Sequence, residues 1–150
     1  MENILFTHLK NTPFFAKFDP YMFQVVEQHL KFRELAPKEV LFNEGEHGDY
    51  MAFLLAGELD VLKNGQNGSL TQVGLIKAGD NTGEMALLDT LTRSATVRAV
   101  QPSALVTLSR QDFETILADH PRIGVEMLRG IAIILSLKLR RTSETLSRKS

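Results

Sequence analysis

The chain has 150 residues, 17 Lys+Arg against 18 Asp+Glu, a formal net charge of −1 and 43% hydrophobic residues. That length fits one compact domain, and the ordinary composition argues against a largely disordered chain. The balanced charge argues against nucleic acid as the main partner, because phosphate neutralisation calls for a basic surplus. With no cysteine there is no disulfide framework, thiolate nucleophile or cysteine metal site. Met1-Glu2-Asn3 leads into a short apolar stretch without the layout of a signal peptide. No apolar run reaches membrane-spanning length. The expectation is a soluble cytoplasmic domain that does not engage a membrane.

Three segments follow in chain order. Residues 1–37 read as an N-terminal helical segment. Thr12-Pro13 and Asp19-Pro20 both look like helix starts with proline at the first helical position, and Met22, Val25, Val26 and Leu30 recur at near-helical spacing. Residues 38–109 change character. Val40-Leu41-Phe42, Met51 to Leu55, Leu59 with Val61, Val73 to Ile76, Ala95 to Ala99 and Leu105 to Leu108 read as short strands. Turn signals separate them, and the Asn/Gly-rich stretch Lys63 to Gly68 predicts a hairpin. The pattern predicts a mainly β fold with flanking helices, a jelly-roll-like antiparallel β-barrel.

Residues 110–150 are helical again. Ser109-Arg110-Gln111-Asp112 resembles a capping box. Pro121 opens a second helix expected to reach about Leu146, on the order of 35–40 Å, with Gly130 as a soft point and a polar, fraying end from Arg140 to Ser150. The middle of this helix, Ile131-Ala132-Ile133-Ile134-Leu135, is apolar on every side, so one face can pack on the β-layer and the others need a cover. The same helix of a second copy would supply it, giving a two-fold dimer; cover by the N-terminal helices is the alternative. Arg140-Arg141-Thr142-Ser143 resembles a basic-directed kinase site, though a solvated helix end explains it as well.

The chemically informative stretch is Gly83-Glu84-Met85-Ala86-Leu87-Leu88, continuing to Arg93-Ser94-Ala95-Thr96-Val97. Glu84 to Leu88 make little more than one helical turn. The amides of Met85 and Ala86 at its start lack intrahelical partners and form an anion site, with Gly83 allowing close approach. In the strand that follows, Arg93 shares parity with Ala95, Val97 and Ala99, so it points to the core. A buried guanidinium must meet an anion. A phosphate held by Arg93, the amides and the Ser94 hydroxyl would satisfy it, and so would an internal salt bridge to Glu84. The spacing permits both.

These segments, with Phe42-Asn43-Glu44-Gly45, His47-Gly48-Asp49, Gly57-Glu58-Leu59 and Gly79-Asp80, resemble the cyclic-nucleotide-binding domain family, which includes the catabolite activator protein and the regulatory subunits of cAMP-dependent kinase. The resemblance runs from about Phe14 to Leu139, with residues 83–97 as its phosphate-binding cassette, and makes the three segments one such domain. It implies that Arg93 clamps the cyclic phosphate, that Glu84 accepts from the ribose 2′-hydroxyl, and that Gly83, Met85, Ala86 and Ser94 complete the site. Base-capping candidates on the last helix are Leu135, Lys138, Leu139 and Thr142. Asn81 and Thr82 depart from the family's apolar pattern, and Thr92 replaces its frequent proline.

The expected function is a non-catalytic sensor for cAMP, ahead of cGMP, that signals through its last helix to a dimer or an unidentified protein partner. The segment after Leu146 offers no recognition helix, so direct DNA binding is not expected. A dimerisation module with a degenerate pocket is one alternative. A cupin-like metal enzyme is another, but His8, His29, His47 and His120 lack the clustering that a metal site needs. No metal or catalytic residue is expected, and the only small molecule implied is the nucleotide.

Overall fold

The computed structural model describes residues 3–149; positions 1, 2 and 150, at the ends of the first and third expected segments, lie outside them. Helices α1 (Ile4–Leu9) and α2 (Pro20–Glu27) come first, then strands β1 (Lys31–Leu35), β2 (Val40–Phe42), β3 (Tyr50–Ala56), β4 (Glu58–Asn64), β5 (Leu70–Lys77) and β6 (Asn81–Thr82). A 3-10 turn at Glu84–Leu87 precedes β7 (Thr96–Ala99) and β8 (Ser103–Ser109), and helices α3 (Arg110–Asp119) and α4 (Pro121–Lys149) close the chain. Among the described residues no helix is long and apolar enough to cross a membrane.

The strands form two antiparallel four-stranded sheets, ordered β1-β8-β3-β6 and β2-β7-β4-β5. The expected antiparallel β-layer with flanking helices is present, but the sheets do not close into a barrel. Strand alternation builds two cores. Ala52 and Leu54 of β3 point between the sheets with Leu59, Val97 and Leu105. Met51 and Phe53 point the other way, into a layer of Phe14, Phe15, Phe23, Phe113, Met127 and Ile131. The central strand β3 is therefore buried on both sides, and the helices are fixed to the sheet that carries the 3-10 turn.

Several local expectations change. The segment 1–37 is not wholly helical, because Lys31–Leu35 pairs with β8 as an edge strand. Only Leu35 in it is buried, so its charged pattern gave no period-2 signal. Thr12-Pro13 does not start a helix. Asn3 caps α1 instead, and the Thr12 hydroxyl donates to the Leu9 carbonyl at the far end of α1. Ser109 caps α3 as expected, accepting from the Asp112 amide, and Asp19 caps α2. The last helix runs past Leu146, without fraying at Arg140, for about 43 Å.

Gly130 is a contact rather than a soft point: a Cβ there would lie 2.7 Å from the Phe14 carbonyl oxygen and 2.8 Å from its Cα. The N-terminal segment thus covers one face of α4, through Phe14, Ile131 and Ile134, while Val125, Leu128, Ile133, Leu139 and Leu146 remain exposed. Gly130→Ala improves helix propensity by about 1 kcal/mol but forces α4 off a backbone that cannot yield, at about 1–3 kcal/mol. We expect urea unfolding to show a net loss of stability, and a rise would refute the close-contact role.

Candidate functional site

Arg93 leads the site. Its backbone is pinned to the preceding loop: its amide donates to the Glu46 carbonyl at 2.7 Å, its carbonyl accepts from Gly45 at 2.9 Å, and Thr92 bridges to His47. This directs the side chain inward as its parity predicts, and the residue is only 6% exposed. The guanidinium carbon lies 3.9 Å from the ring centroid of Phe42 and 4.7 Å from that of Tyr50. Nη2 donates to the Tyr50 carbonyl at 2.8 Å, while Nε is buried without a hydrogen-bond partner. Burial lowers the Arg93 pKa from its ordinary value, with Tyr50, Asp49 and Glu46 pulling it back up. Burial likewise raises the Tyr50 phenol, against the nearby Arg93 charge.

Two glycines make room for this group. A Cβ on Gly48 would sit 2.3 Å from Arg93 Nε, and one on Gly83 would sit 2.5 Å from Nη1. Gly83 also has a φ of +81°, a left-handed conformation that side chains disfavour. Both positions therefore require glycine for two reasons of space and, at Gly83, one of backbone geometry.

The internal salt bridge that the spacing allowed is not formed. Glu84 is 1% exposed, and its Oε1 pairs with the ammonium of Lys138 on α4, while Oε2 is buried without a partner. Among the described residues Arg93 forms no ion pair. Of the two amides expected to be free, that of Ala86 is taken by the Gly83 carbonyl at 3.0 Å, because the turn is 3-10 and bonds three residues back. Met85 is half exposed, and Ser94 is exposed at the cleft edge.

A cavity of about 540 Å³ joins these groups, with Gly83, Glu84, Met85, Ala86, Arg93 and Ser94 all in its lining. That is a size suited to a small organic ligand. Val61, Val73 and Leu75 give it an apolar side, and α4 closes over it. The register of α4 differs from the expectation. Lys138 lines the cavity together with Ile134, Leu137 and Arg141, whereas Leu135, Leu139 and Thr142 do not. Leu135 packs toward the helical core, Leu139 is exposed, and the Thr142 hydroxyl donates to the Lys138 carbonyl. Asn81 also lines the cavity, with a buried Oδ1 that lacks a partner.

Sequence reasoning missed Arg110. Its Nε donates to the Ala86 carbonyl at 2.9 Å and its Nη2 to that of Gly48 at 2.7 Å, so one side chain ties the 3-10 turn, the Gly48 loop and the start of α3 together. The signal was available: a cation in the first turn of a helix opposes the dipole and calls for acceptors elsewhere. Tyr50 was missed too, having no polar pattern to mark it. The histidines are dispersed: His8 bonds the Ile4 carbonyl, His29 pairs with Asp112, His47 bridges Thr92 and His120 caps α3. Among the described residues no group of three or more His, Asp or Glu is placed to hold a metal ion.

Comparison with known proteins adds the following. A family model described as the cyclic nucleotide-binding domain matches residues 32–120. The cAMP-dependent protein kinase regulatory subunit of Yarrowia lipolytica is 33% identical over 115 residues, which are 75% of this chain and 30% of that protein. Lysophospholipase NTE1 of Phaeosphaeria nodorum is 26% identical over 113 residues, 75% of this chain and 8% of that protein. The chain therefore spans only a small part of these curated relatives. The crystal structure of a cyclic nucleotide-binding domain from Methylobacillus flagellatus matches with a TM-score of 0.83 at 26% identity, covering 89% of this chain and 75% of that one.

A cation held in this way carries a desolvation cost. Arg93→Met keeps the volume and removes the desolvated charge, so stability should stay level or rise by up to about 3 kcal/mol. The guanidinium stays protonated across the neutral range, so the gain should be constant from about pH 6 to 9. Thermal unfolding at several pH values checks this; a clear loss of stability would mean that the rings and the Tyr50 carbonyl already satisfy the charge.

Proposed function

Because this chain belongs to the cyclic nucleotide-binding domain family, we propose that its cleft binds a cyclic nucleotide, cAMP in preference to cGMP, as a non-catalytic regulatory module in the cytoplasm. The observation that carries this reading is Arg93: buried, unpaired by any carboxylate among the described residues, and facing a cavity of about 540 Å³. A cyclic phosphate is a monoanion that accepts at several oxygens, which suits an arginine with an unused Nε. Glu84 Oε2, also without a partner, is suited to accept from a ribose hydroxyl, and the apolar side of the cavity to hold a base. The preference for cAMP draws on the Yarrowia lipolytica relative, whose name is that of a cAMP-dependent regulatory subunit.

Output runs through α4 to a second copy of the chain or to a protein partner. Val125, Leu128, Ala132, Leu135, Leu139, Thr142 and Leu146 are spaced alternately by three and four residues, the repeat of a two-helix seam. Most of that stripe is exposed, Leu139 to 68% and Leu146 to 63%. It lies beside the face that Phe14 covers, so intrachain packing and a homodimer are compatible. A reading as a dimerisation module with a degenerate pocket draws on Lys138, which already occupies one oxygen of Glu84.

Calorimetric titration separates the two readings. We expect saturable binding of cAMP, weaker binding of cGMP, and loss of most affinity in Arg93→Ala. Ligand at 100 times its Kd should add about 2.7 kcal/mol to unfolding. No heat and no shift in the melting midpoint with either nucleotide would leave the degenerate reading. Sedimentation tests the seam: the wild type should be dimeric and Leu128→Glu/Leu139→Glu monomeric, with a monomeric wild type at high concentration excluding the dimer.

A further inference from the structure

The Glu84–Lys138 pair raises a question of charge that the nucleotide reading leaves open. Glu84 on the 3-10 turn, Arg93 before β7 and Lys138 on α4 line one cavity, whose other ionisable residues are Asp80, Asp89 and Arg141. Glu84 is almost wholly buried, and a carboxylate so buried needs a cation. Either Arg93 or Lys138 could supply it. If Arg93 did, the two deepest charges would cancel and the buried guanidinium would no longer be available to an anion. The structure pairs Glu84 with Lys138, and among the described residues Arg93 forms no ion pair. Lys138 is the cheaper partner, because its side chain is 48% exposed and retains much of its hydration.

We propose that Lys138 is a positioning residue of the site: it holds Glu84 by Oε1, which turns Oε2 toward the ligand and keeps the carboxylate off Arg93. The inference rests on the nucleotide reading and adds to it. With Glu84 held by Lys138, the Arg93 guanidinium keeps its charge for a cyclic phosphate monoanion. The same contact makes α4 part of the site. Lys138 lies 54 residues from Glu84 in sequence, so an order of α4 that keeps the pair also keeps Glu84 ready. By reciprocity, a ligand that engages Glu84 favours that order of α4.

The test titrates the full chain with cAMP and with its 2′-deoxy analogue, in the wild type, Lys138→Met and Lys138→Arg, with thermal unfolding run on each. In the wild type the 2′-deoxy analogue should bind about tenfold or more weakly, the scale of a hydrogen bond to a charged acceptor. In Lys138→Met, cAMP affinity should fall by about tenfold, and the difference between the two ligands should shrink toward unity because Glu84 no longer faces the sugar. Lys138→Arg should restore both. A variant of lower stability that kept the wild-type ratio between ligands would show a structural role alone and overturn the proposal, as would equal or tighter cAMP binding in Lys138→Met. Failure of the wild type to bind either nucleotide would instead defeat the nucleotide reading itself, and this inference with it.

Discussion

A buried cation, Arg93, with no carboxylate paired to it among the described residues, organises the rest of this structure. Arg93 is enclosed by Phe42, Tyr50, Gly48 and Gly83, yet its only side-chain hydrogen bond among the described residues goes to the Tyr50 carbonyl. Rings and one carbonyl soften the loss of water but do not supply a counter-charge. Keeping such a group inside carries a desolvation cost. Gly48 and Gly83 leave the space that the guanidinium fills.

The parts around this charge serve different ends. The sheet core anchors β7 through Val97 and Ala99, and backbone bonds to Gly45 and Glu46 set where Arg93 emerges just before it. The 3-10 turn brings Glu84 to the same cavity, and Arg110 holds that turn against the Gly48 loop. The helical layer then lays α4 along the cleft, with the Phe14–Gly130 contact fixing its height. Chemistry, positioning and cover thus come from three separate layers of one chain.

Much of this was legible in the residues. The parity of Arg93 with Ala95, Val97 and Ala99 predicted its inward aim, and the Ser109 cap and the Asn/Gly hairpin stand where their local chemistry put them. What was not legible depended on distant partners. Lys31–Leu35 is a strand because β8 offers an edge, and a strand exposed on most of its residues carries no hydrophobic period of its own. Gly130 is explained by the backbone of Phe14, more than a hundred positions away. The face of α4 that meets the cleft was misjudged by one position because an apolar run carries no marker of which side is covered. The choice of Lys138 over Arg93 as partner for Glu84 needed the packing of α4, which no local pattern encodes.

The elbow between the last two helices has a mechanical consequence. Arg110 fixes the start of α3 to the cleft, and Gly124 lets α4 lie directly on Leu117, where a Cβ would come within 2.4 Å of its side chain. Two rods joined so tightly turn as one piece. Phe14 holds α4 again at Gly130, Glu84 holds it at Lys138, and Arg141 still lines the cavity, so the stretch of α4 past the cleft is about 12 Å long. A joint at the start and two holding contacts further along thus tie most of the length of α4 to the cleft and leave only its last turns clear of the β-layer.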